Sequence, residues 1–155
     1  SDAGFKYNMS DILASIGTVQ IKKAELMLQK RTNIAKTYTN QLSNISAINL
    51  PITKPENRNA WHLYVIQIKP EQLKINRETF IDKLKEYNIG TSVHFIPLHR
   101  HPYYKNKFGY SFKEFPNSES IYRNSISLPI YPKMTAADVD YVIETIKHLI
   151  STYKK

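Results

Sequence analysis

The chain of 155 residues contains no cysteine. That excludes disulfides, a thiolate nucleophile and cysteine-ligated metal together, and it leaves the redox compartment open, with cytoplasm the expected location. No apolar run approaches the roughly 20 residues of a membrane span, so no membrane association is expected. The N-terminus has no basic stretch followed by an apolar segment, so no signal peptide is expected. Only four glycines occur, and none falls in a phosphate loop, a dinucleotide fingerprint or a nucleophile elbow around a serine. Internal repeats and low-complexity segments are absent too. The carboxylates are expected on helix surfaces, with no acid/base pair among them. The residues therefore show no self-contained catalytic constellation.

The chain has a 41% hydrophobic and 12% aromatic content, which is enough for one globular domain with a real core. Its formal net charge is +9, which raises the question of a nucleic-acid or phosphate partner. The basic surplus is three in each third of the chain. So even a spread is what a solvated, lysine-rich surface gives.

Residues 10–43 read as one long helix or two abutting ones. Ile12, Ile16, Val19, Leu26, Met27, Ile34, Tyr38 and Leu42 recur near the 3.6 period, with a bend expected around Lys22 and Lys23. Such a helix braces two domains or a dimer interface. Pro51 and Pro55 punctuate a polar connection. Ala60–Ile68 predicts a covered, central strand that Pro70 stops. Asn76 predicts the cap of a helix to about Tyr87, with Gly90 as its stop. Thr91–Phe95 predicts a second strand, 97–104 a loop, Asn117 the cap of a short helix, and Ser125–Pro129 a third, edge strand. Thr135 and Asp138 form a capping box ahead of a last helix with Val139, Val142, Ile143, Ile146, Leu149, Ile150 and Tyr153 on one face. The fold class is α+β: a long N-terminal helix, then a sheet of about three strands with helices packed on it.

The run Gly4-Phe-Lys-Tyr-Asn-Met-Ser-Asp-Ile12 stands out. Ser10 is a good N-cap and Asp11 suits the positive end of a helix dipole. Asn8 sits on a loop just ahead of that helix start, where an anion is readily held. A site half built at the first residues points to a second half upstream of them. His94, His99 and His101 cluster within eight residues. Their spacing fits no helical metal pair and no carboxylate completes a set, so no metal site is assigned; His94 and His99 are candidates for hydrogen bonds to a ligand. Trp61 with Tyr64, and Tyr103 with Tyr104, suggest base stacking, but strand aromatics are more often core.

Read together, these runs closely resemble the C-terminal part of the DegT-type nucleotide-sugar aminotransferases, pyridoxal-phosphate (PLP) enzymes of the aspartate-aminotransferase fold. The resemblance rests on G-F-K-Y-N-M-S-D-I at 4–12, R-x-x-I-A-x-x-Y at 31–38, A-W-H-L-Y at 60–64 and N-I-G-T-S-V-H-F at 88–95. It continues with P-L-H-R-H-P-Y-Y at 97–104, S-L-P-I-Y-P at 127–132 and M-T-A-A-D-V-D-Y-V at 134–142. It implies a leading loop and linking helix at 1–50, a small C-terminal domain at 51–155, and a large PLP-binding domain absent from the chain. The Schiff-base lysine of the family lies in that large domain, and no lysine here stands in a matching context, so the chain alone is expected to be inactive. The resemblance further implies a homodimer in which Tyr7 and Asn8 reach the PLP phosphate of a neighbouring subunit. Many members carry arginine where Asn8 stands; an amide offers one neutral hydrogen bond in place of a charged fork. His94, His99 and Lys6 are implied as contacts to the nucleotide sugar, with glutamate as amino donor and surface polysaccharide or glycoconjugate synthesis as the setting. The K-Y-N version resembles the branch acting on 4-keto pentose or 6-deoxyhexose nucleotides. Two rival expectations stand beside this one: a basic, non-catalytic binding module for nucleic acid or a partner protein, and an interaction piece that docks through its long helix.

Overall fold

A computed structural model of the chain describes residues 4, 5 and 7–155. Helix α1 runs uninterrupted from Asp11 to Leu42, one long helix rather than two abutting ones. Its Ser10 cap accepts from Leu13 N at 3.4 Å. Strands β1 (Ile48–Asn49), β2 (Tyr64–Ile68) and β3 (Ser125–Leu128) form one antiparallel sheet in that order, with Ile48 opposite Ile68 and Ile66 opposite Ile126. Helices α2 (Arg77–Glu86), α3 (Pro102–Phe108), α4 (Pro116–Asn124) and α5 (Ala136–Tyr153) complete the fold.

The core forms where the last third of α1 meets α5 and the sheet. Ile34, Ala35, Tyr38 and Leu42 of α1 are buried against it. From α5 come Val139, Val142, Ile143, Ile146, Leu149 and Ile150, the stripe expected from the sequence. Burying a side chain such as Leu42 or Phe80 is worth about 1.5–3 kcal/mol. Polar handles fix the register of the packing. Tyr38 Oη donates to Pro129 O at 2.8 Å, and Tyr64 Oη shares a 2.8 Å hydrogen bond with Thr39 Oγ1. Burial pushes the Tyr38 phenol well above its usual range, so it remains a neutral donor.

Several local expectations are corrected. The central strand starts at Tyr64 rather than Ala60, because Trp61 has φ +48°, outside strand geometry, and its N–H donates to Asn59 Oδ1 in a tight turn. On β2, Tyr64, Ile66 and Ile68 are buried while Val65 and Gln67 are only half-buried. Thr91–Phe95 is no strand: Ser92 alone bridges Ser127, and the third sheet member is the short β1. Helix α2 ends at Glu86 with Tyr87 as its C-cap, and Asn88 (φ +56°), not Gly90, takes the left-handed position after it. The segment 97–104 holds a single 3-10 turn, Leu98–Arg100, and the start of α3. Helix α4 starts with Pro116 at its first position, so Asn117 lies inside it and caps nothing.

Candidate functional site

Two regions carry the candidate residues. The first is the start of the chain. Tyr7 and Phe5 are 86% and 85% exposed, and Asn8 is exposed beside them just ahead of the Ser10 cap. The expected contact residue Lys6 lies outside the described residues. From here to Leu26, α1 has no buried residue: Ile12 and Ile21 are 75% and 76% exposed, and Leu13, Ile16 and Val19 are exposed with them. Apolar side chains at helical spacing on a bare face mark an interaction surface, not a domain core. Farther along, Arg58 pairs with Glu25, and Arg31 Nε donates to Ala60 O at 3.0 Å, tying the helix to the connection before β2. At 1.5 Å per residue, the start of α1 at Asp11, three residues after Asn8, stands about 35 Å along the helix axis from Ile34, where burial begins.

The second region surrounds the histidines. His94 is half-buried, with Nδ1 2.9 Å from Ser127 Oγ of β3 and 3.2 Å from Ser92 Oγ. Its ring meets Phe95 edge-on. His99 is buried at 7% exposure, on the 3-10 turn that Pro97 introduces. Its ring stacks on Phe115 with centroids 4.6 Å apart, and its Nε2 lies 2.7 Å from Glu119 Oε1. His101, one turn on, faces the Ile96 carbonyl at 3.3 Å. Within one chain, then, the two histidines belong to the core end, and Asn8 to the far end of α1.

Glu119 is the functional group that the sequence expectation placed on a helix surface. It is buried, and its carboxylate gathers His99, Arg100 Nε at 2.6 Å, Arg100 Nη2, and Arg123 Nε at 3.4 Å. The hydrogen bond from Arg100 leads in holding its carboxyl down to about 2; burial opposes this, and His99 adds to the lowering. The sequence signal was the Glu119–Arg123 spacing on a short helix, together with the basic run His99-Arg100-His101. Beside the cluster opens a cavity of about 670 Å³ lined by His99, Lys105, Tyr110, Phe112 and the two arginines. Cationic groups line it together with aromatic rings, which suits a phosphorylated ligand that also carries a flat ring.

The stacking candidates divide. Tyr64 is fully buried, with ring contacts to Tyr38 and Trp61, and belongs to the core; Tyr103 is exposed and touches Tyr104 edge-on. Among the described residues, no group of three or more His, Cys, Asp or Glu comes together as a metal site, and no helix is long and apolar enough to cross a membrane.

The model of the DegT/DnrJ/EryC1/StrS aminotransferase family matches residues 1–147. Among curated proteins, the chain is 52% identical over 150 residues to the protein MJ1066 of Methanocaldococcus jannaschii, covering 97% of this chain and 39% of that one. It is 43% identical over 148 residues to the spore coat polysaccharide biosynthesis protein SpsC of Bacillus subtilis, covering 95% and 38%. It is 36% identical over 154 residues to the UDP-4-amino-4-deoxy-L-arabinose–oxoglutarate aminotransferase of Shewanella sediminis, covering 96% and 40%. The chain thus spans about 40% of the length of these relatives. Among solved structures, Spr1654 of Streptococcus pneumoniae, known in apo, PMP and PLP forms, superposes with a TM-score of 0.84 at 32% identity, covering 94% of this chain and 36% of that one.

Proposed function

Since the chain belongs to the DegT/DnrJ/EryC1/StrS aminotransferase family, we propose that it is the C-terminal part of an enzyme that transfers an amino group from glutamate to a nucleotide-linked keto sugar. The setting is cytoplasmic synthesis of a surface polysaccharide or glycoconjugate. On this reading residues 1–50 are the leading loop and linking helix and 51–155 the small domain. The large domain, with its lysine, is carried elsewhere in the protein, and the chain alone is inactive. The observation that supports it most directly is the bare apolar face of α1 from Ile12 to Leu26, which fits a helix whose partner surfaces are a large domain and a second subunit.

Tyr7 and Asn8 fit a phosphate-bearing cofactor: both are exposed, just ahead of the positive end of a 32-residue helix. PLP, when bound, supplies the electron sink for amino transfer. In the homodimer Asn8 donates a hydrogen bond to the phosphate held in the neighbouring subunit. Lys6, next to Tyr7 in the sequence, and His94 and His99 at the core end orient the sugar nucleotide. His94 is oriented by Ser92 and Ser127, and His99 by Glu119 and Phe115.

The test uses the full-length protein with PLP, glutamate and a nucleotide-linked 4-keto sugar. Equal amounts of 2-oxoglutarate and amino-sugar nucleotide are expected, with parallel double-reciprocal plots. Absence of 2-oxoglutarate, or release of it without aminated sugar, would overturn the reading.

A further inference from the structure

A second cavity, which neither Asn8 nor the histidines line, opens between α2, the 3-10 turn and α4. It measures about 420 Å³, and its polar lining is Asn76, Arg77, Glu78, Arg100, Arg123 and Asn124. Three guanidiniums thus line it with one carboxylate, Glu78, while Glu119, outside the lining, pairs with Arg100 and Arg123. The guanidiniums of Arg77 and Arg100 both lie over the Tyr122 ring, 5.4 and 5.0 Å from its centroid.

Arg77 is the informative member. Only 8% of its side chain is exposed; its Nη2 pairs with Glu78 at 2.8 Å, while its Nε is buried without a hydrogen-bond partner. A buried cation with an unused donor costs free energy unless something accepts from it. Glu119 does not relieve this, because its two oxygens already serve His99, Arg100 and Arg123. The first turn of α2, with Asn76 as its cap, adds the positive end of a helix to the same cavity.

We infer that this cavity binds a phosphate group, free or esterified. The geometry favours phosphate over carboxylate. A phosphate carries up to two charges and three or more acceptor oxygens in a tetrahedron, against one charge and two coplanar oxygens in a carboxylate, so it serves more of the arginines that come from different elements at once. Arg77 comes from α2, Arg100 from the turn and Arg123 from α4. The inference does not depend on the aminotransferase reading, although Arg100 and Arg123 also line the cavity beside His99 and hold Glu119.

Calorimetric titration of the full-length protein at low ionic strength, with PLP saturating, tests it. Inorganic pyrophosphate probes a free ion and glycerol 3-phosphate an esterified one; the tighter of the two identifies the source. Saturable binding is expected, about tenfold weaker in Arg123→Gln and in Arg77→Lys, which keeps the charge but loses the fork and Nε. The distant Arg58→Gln should bind as wild type does. Arg123 is 61% exposed, so its substitution leaves the fold intact, and an unchanged melting temperature verifies that. Failure of the wild type to bind either probe saturably, or equal affinity in wild type, Arg123→Gln and Arg77→Lys, would overturn the inference.

Discussion

Substituting Glu119 by glutamine keeps the shape of the side chain and removes the charge that organises His99, Arg100 and Arg123. In the folded chain the carboxyl is held from an ordinary 4.5 down to about 2. At about 1.4 kcal/mol per unit, that depression corresponds to roughly 3 kcal/mol of favourable interaction with the ionised form. Arg123 is largely in solvent and Arg100 partly so, and solvent screening reduces the expected value to about 2 kcal/mol. The sign follows from the direction of the shift. A lowered folded-state value contributes stability above the unfolded value, and that contribution is lost as pH falls from about 5 toward 2. Urea unfolding of the wild type and of Glu119→Gln at pH 7 and pH 3 reads this directly. The variant should be about 2 kcal/mol less stable at pH 7, and the gap should shrink at pH 3. Equal stability at pH 7, or a gap that does not change with pH, would show that the cluster is not an ionic one.

Other outcomes follow from the same structure. In the full-length protein, Asn8→Ala should raise the PLP dissociation constant about 10–100-fold by losing one hydrogen bond to a charged phosphate, checked by cofactor release on dialysis. Ile12→Glu with Ile21→Glu should disrupt assembly of the full-length protein, seen as a lower mass in light scattering. The same pair in the 155-residue chain should shift stability by less than about 1 kcal/mol, since both side chains are exposed there. Leu42→Ala, at a fully buried position, should cost about 2–5 kcal/mol in denaturant unfolding. Thr135→Ala, which removes the Oγ1 that accepts from Asp138 N at 3.2 Å in the capping box, should cost about 1 kcal/mol.

Much of the fold was legible because its signals are local. The Asn76 cap, the Thr135–Asp138 box and the α5 stripe each lie within a few residues of the structure they determine. The apolar positions of α1 were equally plain, but their period could not say which would be buried: Tyr38 and Leu42 meet the sheet, whereas Ile12 and Ile16 meet nothing in this chain. The misses are non-local or stereochemical. Strand β1 is two residues long, too short for any alternation, and exists only because β2 offers an edge. The β-rich run Thr91–Phe95 looked like a strand, yet it is tied down by one bridge and by His94. The burial of Glu119 depends on His99 and Arg100, some 20 residues earlier in the chain, so no local pattern announced it.

The buried contacts of α1 all lie in its last third, which makes the helix a lever. A tilt of only about 5° at Ile34, carried along the roughly 35 Å of helix back to Asp11, swings the tip beside Asn8 by about 3 Å. That is as long as a hydrogen bond. Repacking the hub around Tyr38 would therefore shift Asn8 at the opposite end of the rod, with no substitution anywhere near it.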